Sequence, residues 1–148
     1  MNQTIKISAS AAVATIDIEG TIGSLQSGDS VTTYQELKER LEQIEAIEAP
    51  MVVVNIRSVG GDVADALLIY EALRSLDAHI TTRCYGYTAS AATIIAQAAN
   101  EGCREIASSA LYLIHNSSCV AEGNAADLQL HAELLSKTDE RIAAIYAA

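Results

Sequence analysis

The hydrophobic positions of this chain switch repeatedly between two spacings, one typical of β-strands and the other of α-helices. Residues Ile5 to Ile18 favour one or two strands, and a Gly- and Ser-rich stretch from Gly20 to Ser30 predicts a loop. Thr33 and Glu36 then have the spacing of a capping box, which indicates the start of a helix. The apolar face of that helix is formed by Leu37, Leu41, Ile44 and Ile47.

The middle of the chain repeats this alternation. Pro50 ends the first helix, and the continuous apolar run Met51–Ile56 predicts a strand that is buried on both faces. Apolar residues at helical spacing predict a second helix after Gly61, and His79–Tyr85 predicts another strand. The helical positions are Val63, Ala66, Leu67, Tyr70 and Leu73.

The last third of the chain predicts two more helices. The segment Ser90–Asn100 is Ala-rich and almost wholly apolar, which is typical of a helix buried all round. Short strands are predicted at Cys103–Ile106 and Leu111–His115, and a last helix follows Gly123. Asn124 would cap this helix, and its apolar face would be Leu128, Leu135, Ile142 and Tyr146. Alternating strands and helices predict an α/β fold with a largely parallel sheet, in a single domain spanning 1–148.

Composition limits the kinds of partner. Half of the 148 residues are hydrophobic, but Phe and Trp are absent, so the core must be built from Ala, Ile, Leu and Val. Nineteen acidic residues against nine basic ones give a formal net charge of −10. Such a surface repels phosphate backbones, and we therefore expect no nucleic-acid partner.

The cysteines and the lengths of the apolar runs favour a cytoplasmic protein. Cys84, Cys103 and Cys119 have no metal-ligand spacing, and their odd number favours reduced thiols in a cytoplasmic protein. The N-terminus has no basic region followed by an apolar block, so no signal peptide is predicted. No apolar run approaches the ~20 residues that span a bilayer. We expect no membrane partner, no metal and no cofactor.

The pair Gly60 and Gly61 stands between the predicted buried strand and the second helix. Two glycines allow positive φ and the close approach of another chain, and their N–H groups can then point at an oxygen atom. A plain strand-to-helix turn with Asp62 in the first helical turn is the simpler interpretation of this dipeptide alone.

Ser90 stands where a strand-like run gives way to a helix-like run. A serine in that place is commonly only an N-cap. It can also be a nucleophile, because the helix dipole and the N–H of Ala91 are then aimed at developing negative charge. The small neighbours Ala89, Ala91 and Ala92 leave room for a peptide.

His115 ends an apolar strand and is the best candidate for a general base, because His79 begins a strand and His131 lies within a helix. A lone histidine is more often structural. In combination with Gly60–Gly61 and Ser90, however, it completes a set that can supply an oxyanion hole, a nucleophile and a base, which is most of what a serine peptidase needs.

These residues lie in sequence blocks that carry a family resemblance. From about Val52 to its end, the chain resembles the proteolytic subunit of Clp protease. It is most similar to the Clp-related branch of bacteriophage and prophage genomes, which is thought to act in prohead maturation. The matching blocks are Asn55–Val63, Ile69–Leu73, Gly86–Ala92, Leu113–Asn116 and Gly123–Asp127, with a looser match at Ile18–Gly23.

The resemblance implies a crotonase-like spiral of repeated ββα units, with a mostly parallel sheet and flanking helices. It implies Ser90 as the nucleophile and His115 as the general base. It implies an oxyanion hole from the N–H groups of Gly61 and Ala91. Substrate would pair in extended form with the backbone around Gly60–Val63 and around Asn116–Cys119. The substrate-binding positions are Gly60, Asp62, Val63, Asn116 and Ser117.

This chain departs from the family pattern at two places. The family usually has Pro before the Gly-Gly pair, where this chain has Val59. The family's triad Asp follows the long last helix, on which this chain ends, so we expect the acid beyond residue 148 and a C-terminal segment missing here. Asp127 and Asp139 match non-catalytic positions and are not assigned. Loss of the acid costs several orders of magnitude in rate, so this chain alone is expected to be weakly active or inactive.

The expected function is hydrolysis of polypeptides through an acyl-enzyme. The family implies ring-forming homo-oligomers and, in its cellular members, an ATP-driven unfoldase acting in trans. The chain has no G-x-x-x-x-G-K-[ST] motif, so ATP dependence would lie in that partner. A phage-type member would instead cleave scaffold and capsid proteins during head maturation.

Two alternatives come from other functional classes. A non-catalytic assembly or scaffold component would keep the fold without the acid. An acyl-CoA enzyme of the crotonase type would use a similar oxyanion hole, but its chemistry has no need of the Ser90 and His115 pair.

Overall fold

The computed structural model describes residues 4–23 and 34–148. The predicted capping box at Thr33 and most of the predicted loop therefore lie outside the described residues. The strands are β1 (Thr4–Ala9), β2 (Val13–Ile22), β3 (Met51–Gly61), β4 (His79–Ala89), β5 (Arg104–Ile106) and β6 (Leu111–Leu113). The helices are α1 (Tyr34–Glu45), α2 (Val63–Arg74), α3 (Ala91–Ala96) and α4 (Ala125–Ala147).

One six-stranded sheet organises the first part of the chain. Its strands are ordered β1-β2-β3-β4-β5, and β6 also pairs with β4. The β1–β2 pair is antiparallel, and every other pairing in the sheet is parallel. The α/β class and the largely parallel sheet predicted from the alternating pattern are confirmed.

The core lies on one face of this sheet. Along β3, Val52, Val54, Ile56 and Ser58 are buried, whereas the residues between them are half-buried or exposed. The prediction that Met51–Ile56 is buried on both faces is therefore wrong. Val53 packs well in a strand whether one face or both are covered, and a run of apolar residues cannot distinguish these cases.

Helix α3 is the centre of the helical layer. It packs against β3, β4 and α2, and α1 packs on α2. All six residues of α3 are buried, as the nearly all-apolar sequence predicts. The helix is shorter than expected, because regular helix ends at Ala96 and the chain continues through turns to Asn100.

The chain divides into two compact units, Met1–Ile114 and His115–Ala148, which we call the first and second units. The second unit contains α4, and its predicted cap is confirmed, because the Asn124 side chain accepts from the N–H groups of Ala126 and Asp127. Of the predicted apolar face, Ile142 is buried, whereas Leu128 is exposed.

Among the helices described within residues 4–23 and 34–148, none is both long and apolar enough to cross a bilayer.

The three free cysteines differ in exposure to solvent. Cys84 is buried, Cys103 is partly exposed and Cys119 is exposed.

Candidate active site

The predicted site residues are distributed over both units. Gly60, Gly61, Asp62, Val63, Ser90 and Ala91 belong to the first unit, and His115, Asn116 and Ser117 belong to the second. The two groups are described in turn.

Gly61 is the last residue of β3 and lies directly against the end of β2. It pairs with Ile22, and the next residue, Asp62, donates its N–H to the Ile22 carbonyl oxygen at 2.9 Å. The φ of Gly61 is 147°, and a Cβ atom added to Gly61 would lie 2.0 Å from the Ile22 carbonyl oxygen. Only glycine permits this approach, because any side chain would break the β2–β3 pairing at its end.

Gly60 brings the end of β3 against the turn that carries Ser90. Its φ is 89°, and an added Cβ would lie 2.6 Å from the Ala89 carbonyl oxygen, 2.7 Å from the Ser90 Cβ and 2.9 Å from the Ala91 nitrogen. The Gly60 N–H donates to the Ser58 hydroxyl at 3.1 Å. The glycine pair therefore lies beside the predicted nucleophile and beside one of the two predicted oxyanion donors.

Ser90 has an unusual backbone conformation. Its φ is 54° and its ψ is −130°, at the junction between β4 and α3. Within the described ranges it is the sole residue other than glycine with a positive φ. Such a conformation costs about 1–3 kcal/mol and persists where the surrounding structure enforces it. Strained strand-to-helix turns also expose the nucleophilic serines of α/β-hydrolases.

The Ser90 side chain does not act as an N-cap. It makes no capping hydrogen bond, although Ser90 occupies the N-cap position of α3. Its backbone is held from both sides, because its N–H donates to the Leu113 carbonyl oxygen at 2.8 Å and its own carbonyl accepts from the Thr93 N–H at 2.9 Å and from the Thr93 hydroxyl at 2.6 Å. The capping explanation that the sequence favoured for this serine is therefore wrong.

Ala91 is the first residue of α3, and N–H groups of a first helical turn have no acceptor within the helix. The Ala91 nitrogen is also close to Gly60, as the 2.9 Å distance from an added Cβ shows. The first unit thus brings together a serine on a strained turn, a helix N-terminus and a glycine pair.

Thr88 is a supporting residue that sequence reasoning missed. It is fully buried, and its hydroxyl donates to the Ile56 carbonyl oxygen at 3.0 Å. This bond spans the point at which the β3–β4 register shifts, between Ile56 and Ser58. Thr88 therefore joins the glycine-bearing end of β3 to the Ser90-bearing end of β4, and no local sequence signal indicates that role.

Asp62 caps α2. Its side chain accepts from the Asp65 N–H at 2.9 Å, and its backbone is extended as expected of an N-cap. Burial and the neighbouring charge of Asp62 raise the pKa of Asp65. The side chain of Asp62 therefore has a structural partner. Its N–H is also used, because it donates to the Ile22 carbonyl oxygen, so a substrate N–H would have to reach its carbonyl oxygen, which already accepts from the Ala66 N–H at 3.1 Å and has a second lone pair.

Asp62→Ala is expected to lower the free energy of unfolding by about 1 kcal/mol, because it removes the cap. Asp62→Asn should retain most of that free energy, because asparagine caps as well as aspartate does. Urea denaturation at pH 7 measures both variants. Equal losses in the two variants would contradict the capping role.

In the second unit, His115 is oriented by a backbone group. The ring Nδ1 lies 2.6 Å from the Asn116 carbonyl oxygen. A carbonyl oxygen can only accept, so this contact assigns the proton of the neutral ring to Nδ1 and leaves the Nε2 lone pair available for a proton. The ring is exposed.

Ser117 is held by α4. Its N–H donates to Asp139 Oδ1 at 2.7 Å, and its hydroxyl donates to the same oxygen at 2.6 Å. The hydrogen bond from the Ser117 hydroxyl lowers the pKa of Asp139 most, and the hydrogen bond from the Ser117 N–H lowers it further. The charge of His115 acts in the same direction. The sequence analysis left Asp139 unassigned because it matches a non-catalytic position of the family, and nothing in the spacing of 22 residues predicts its contact with Ser117.

Comparison with known proteins places the chain in a family. The sequence model of the Clp protease family matches residues 18–148. The chain therefore belongs to the Clp protease family, and the resemblance found in its sequence blocks is confirmed at the level of the family. The fold described above is consistent with that membership.

Two curated relatives illustrate the likeness. The ATP-dependent Clp protease proteolytic subunit of Carsonella ruddii is 32% identical over 81 residues, which cover 55% of this chain and 42% of that protein. The ATP-dependent Clp protease proteolytic subunit 2 of Treponema pallidum is 31% identical over 96 residues, which cover 65% of this chain and 48% of that protein. The chain spans about half the length of the curated relatives it matches.

Proposed function

We propose that this chain is a serine endopeptidase domain in which Ser90 attacks the carbonyl carbon of a peptide bond. The observation that carries the proposal is the Ser90 turn, with its φ of 54° and a hydroxyl that is not used for capping. Membership of the Clp protease family supports the same chemistry. The strained backbone of Ser90 lowers the stability of the fold, and no capping hydrogen bond from its side chain compensates for this. Such a cost in stability is typical of catalytic positions.

In the proposed reaction, His115 Nε2 takes the Ser90 Oγ proton as the Oγ–carbon bond forms. The N–H groups of Gly61 and Ala91 donate to the oxyanion. The C–N bond then breaks as the imidazolium returns its proton to the leaving amine, and water hydrolyses the resulting ester. The family resemblance of the Gly86–Ala92 and Leu113–Asn116 blocks, in this order along the chain, supports the pairing of Ser90 with His115.

Substrate recognition would be mainly through the backbone. The proposed positions are Gly60 in β3, Asp62 and Val63 where α2 begins, and Asn116 and Ser117 in the second unit. An extended polypeptide would pair with them as an added strand. The Ser117 N–H already donates to Asp139, so this residue would offer a substrate only its carbonyl group.

The larger assembly is part of the same proposal. Family membership supports ring-forming homo-oligomers, action in the cytoplasm and an ATP-dependent unfoldase as a partner in trans. The resemblance of the chain from about Val52 onward to the phage branch supports a role in head maturation, with scaffold and capsid proteins as substrates. We further propose that residues 1–148 form one peptidase domain whose triad acid lies beyond Ala148.

Labelling with a fluorophosphonate tests the nucleophile. The Ser90 Oγ–phosphorus bond forms as fluoride leaves, and we expect peptide mass spectrometry of the full-length protein to find the adduct at Ser90. His115→Gln should slow labelling by ~100-fold or more, because a general base contributes about that much. His131→Gln, a matched change at an exposed position of α4, should label like the wild type. A folded sample with no adduct at Ser90 would contradict the proposal.

A further inference from the structure

One peptide group in the second unit has a histidine on one side and a carboxylate on the other. The Asn116 carbonyl oxygen lies 2.6 Å from His115 Nδ1. The N–H of the same peptide group, which belongs to Ser117, donates to Asp139 Oδ1 at 2.7 Å. The Asp139 carboxylate, the Asn116–Ser117 peptide group and the His115 imidazole thus form a continuous chain of hydrogen bonds.

We propose that Asp139 is a positioning residue that acts on His115 through the Asn116–Ser117 peptide group. This inference rests on the proposed role of His115 as general base. The carboxylate does not touch the imidazole or the reacting atoms. It holds and polarises the backbone group that the imidazole contacts.

The electrostatic part of this role follows from the direction of the two hydrogen bonds. A hydrogen bond to an ionised carboxylate is stronger than one between neutral groups. Drawing the Ser117 proton toward Asp139 shifts electron density toward the Asn116 carbonyl oxygen, because hydrogen bonds in a chain polarise one another. That oxygen then accepts more strongly from His115 Nδ1–H, which favours the protonated ring that forms when Ser90 loses its proton.

The geometric part of this role follows from the hydrogen bonds that join Ser117 to α4. The Ser117 hydroxyl donates to Asp139 Oδ1 at 2.6 Å and is 3.3 Å from the Leu135 carbonyl oxygen, one helical turn earlier. A single proton cannot make two strong bonds, so the shorter contact with Asp139 dominates. The segment that follows His115 is therefore fixed to the helix by two bonds to one carboxylate oxygen, which restricts the orientation of the peptide group that contacts the ring.

Asp139→Asn separates the charge from the geometry. The amide oxygen of asparagine can still accept from the Ser117 N–H, but the negative charge is gone. Glu140→Gln is the matched control, because it removes one charge from the next residue of α4, whose side chain is exposed. Ser117→Ala is the second variant, since it removes the hydroxyl bond and leaves the carboxylate in place.

Nuclear magnetic resonance of the imidazole groups of the full-length protein measures the effect directly. We expect the fraction of neutral His115 rings that carry the proton on Nδ1 to fall in Asp139→Asn, because a less polarised Asn116 carbonyl oxygen accepts more weakly from that nitrogen. A smaller fall is expected in Ser117→Ala, and no change in Glu140→Gln. The tautomers of His79 and His131 in the same spectra are internal references that should not change. Equal His115 tautomer fractions in Asp139→Asn and Glu140→Gln would overturn the inference.

The rate of fluorophosphonate labelling separates this inference from the proposed function. We expect Asp139→Asn to label Ser90 about 10-fold more slowly than Glu140→Gln, the loss typical of a group that orients a functional histidine. If the wild type shows no Ser90 adduct while the His115 tautomer fraction still depends on Asp139, the peptidase proposal fails and the hydrogen-bonded connection stands. If Ser90 labels at the same rate in both variants with the same His115 tautomer fraction, Asp139 has no positioning role and the peptidase proposal stands.

Discussion

Gly60→Ala is expected to slow fluorophosphonate labelling of Ser90 by ~100-fold or more, because a shift of about 1 Å in a catalytic group has an effect of that size. The added Cβ would lie 2.6 Å from the Ala89 carbonyl oxygen and 2.7 Å from the Ser90 Cβ. Neither contact can be relieved by rotating a flexible side chain, so the turn that carries Ser90 must move. The same variant should lose stability, by more than the ~1–2 kcal/mol that an alanine at positive φ costs by itself.

Gly102→Ala is the matched control for that variant. Its φ of 77° is close to the Gly60 value of 89°, but an added Cβ would meet nothing within 4 Å. This control should therefore lose about 1–2 kcal/mol of stability from backbone strain alone, with labelling unchanged. Labelling rates and urea denaturation of both variants measure the difference. Equal labelling in Gly60→Ala and the wild type would show that the contact between β3 and the Ser90 turn has no catalytic consequence.

Local chemistry accounts for the parts of the fold that the sequence predicts well. The Asn124 cap of α4 and the complete burial of α3 both depend on residues within a few positions of one another. The start of α2 after the two glycines is similar, whereas β3 continues through both glycines to Gly61, beyond the predicted run Met51–Ile56. Family membership of the chain was also predictable, because whole blocks of sequence carry it.

The remaining features depend on contacts between distant residues. The spacing of apolar residues cannot show that one face of β3 is left partly open, because that depends on which elements cover it. The bond between Thr88 and Ile56 joins residues 32 positions apart, and the bonds between Ser117 and Asp139 join residues 22 positions apart. Serine at position 90 suits an N-cap by propensity, and tertiary structure overrides that preference by holding its φ at 54°.

Ser90→Ala and Ser90→Gly should both abolish labelling at position 90, because neither variant has an Oγ atom. Their stabilities should differ, with Ser90→Gly more stable than Ser90→Ala by about 1 kcal/mol. Alanine keeps the Cβ that disfavours a φ of 54°, whereas glycine adopts positive φ readily. The greater entropy of glycine in the unfolded chain offsets part of that gain.

The pair Glu71→Ala and Glu71→Gly gives the matched comparison at an ordinary position of α2, where the side chain is exposed. There the alanine variant should be the more stable one, by about 1 kcal/mol, because glycine is a poor helix former. Urea denaturation should therefore show opposite signs for the alanine-to-glycine difference at positions 90 and 71. The same sign at both positions would mean that the Ser90 turn stores no strain. Opposite signs would show that this fold keeps a serine, at a cost in stability, where glycine would fold better, which is the relation expected of a nucleophile.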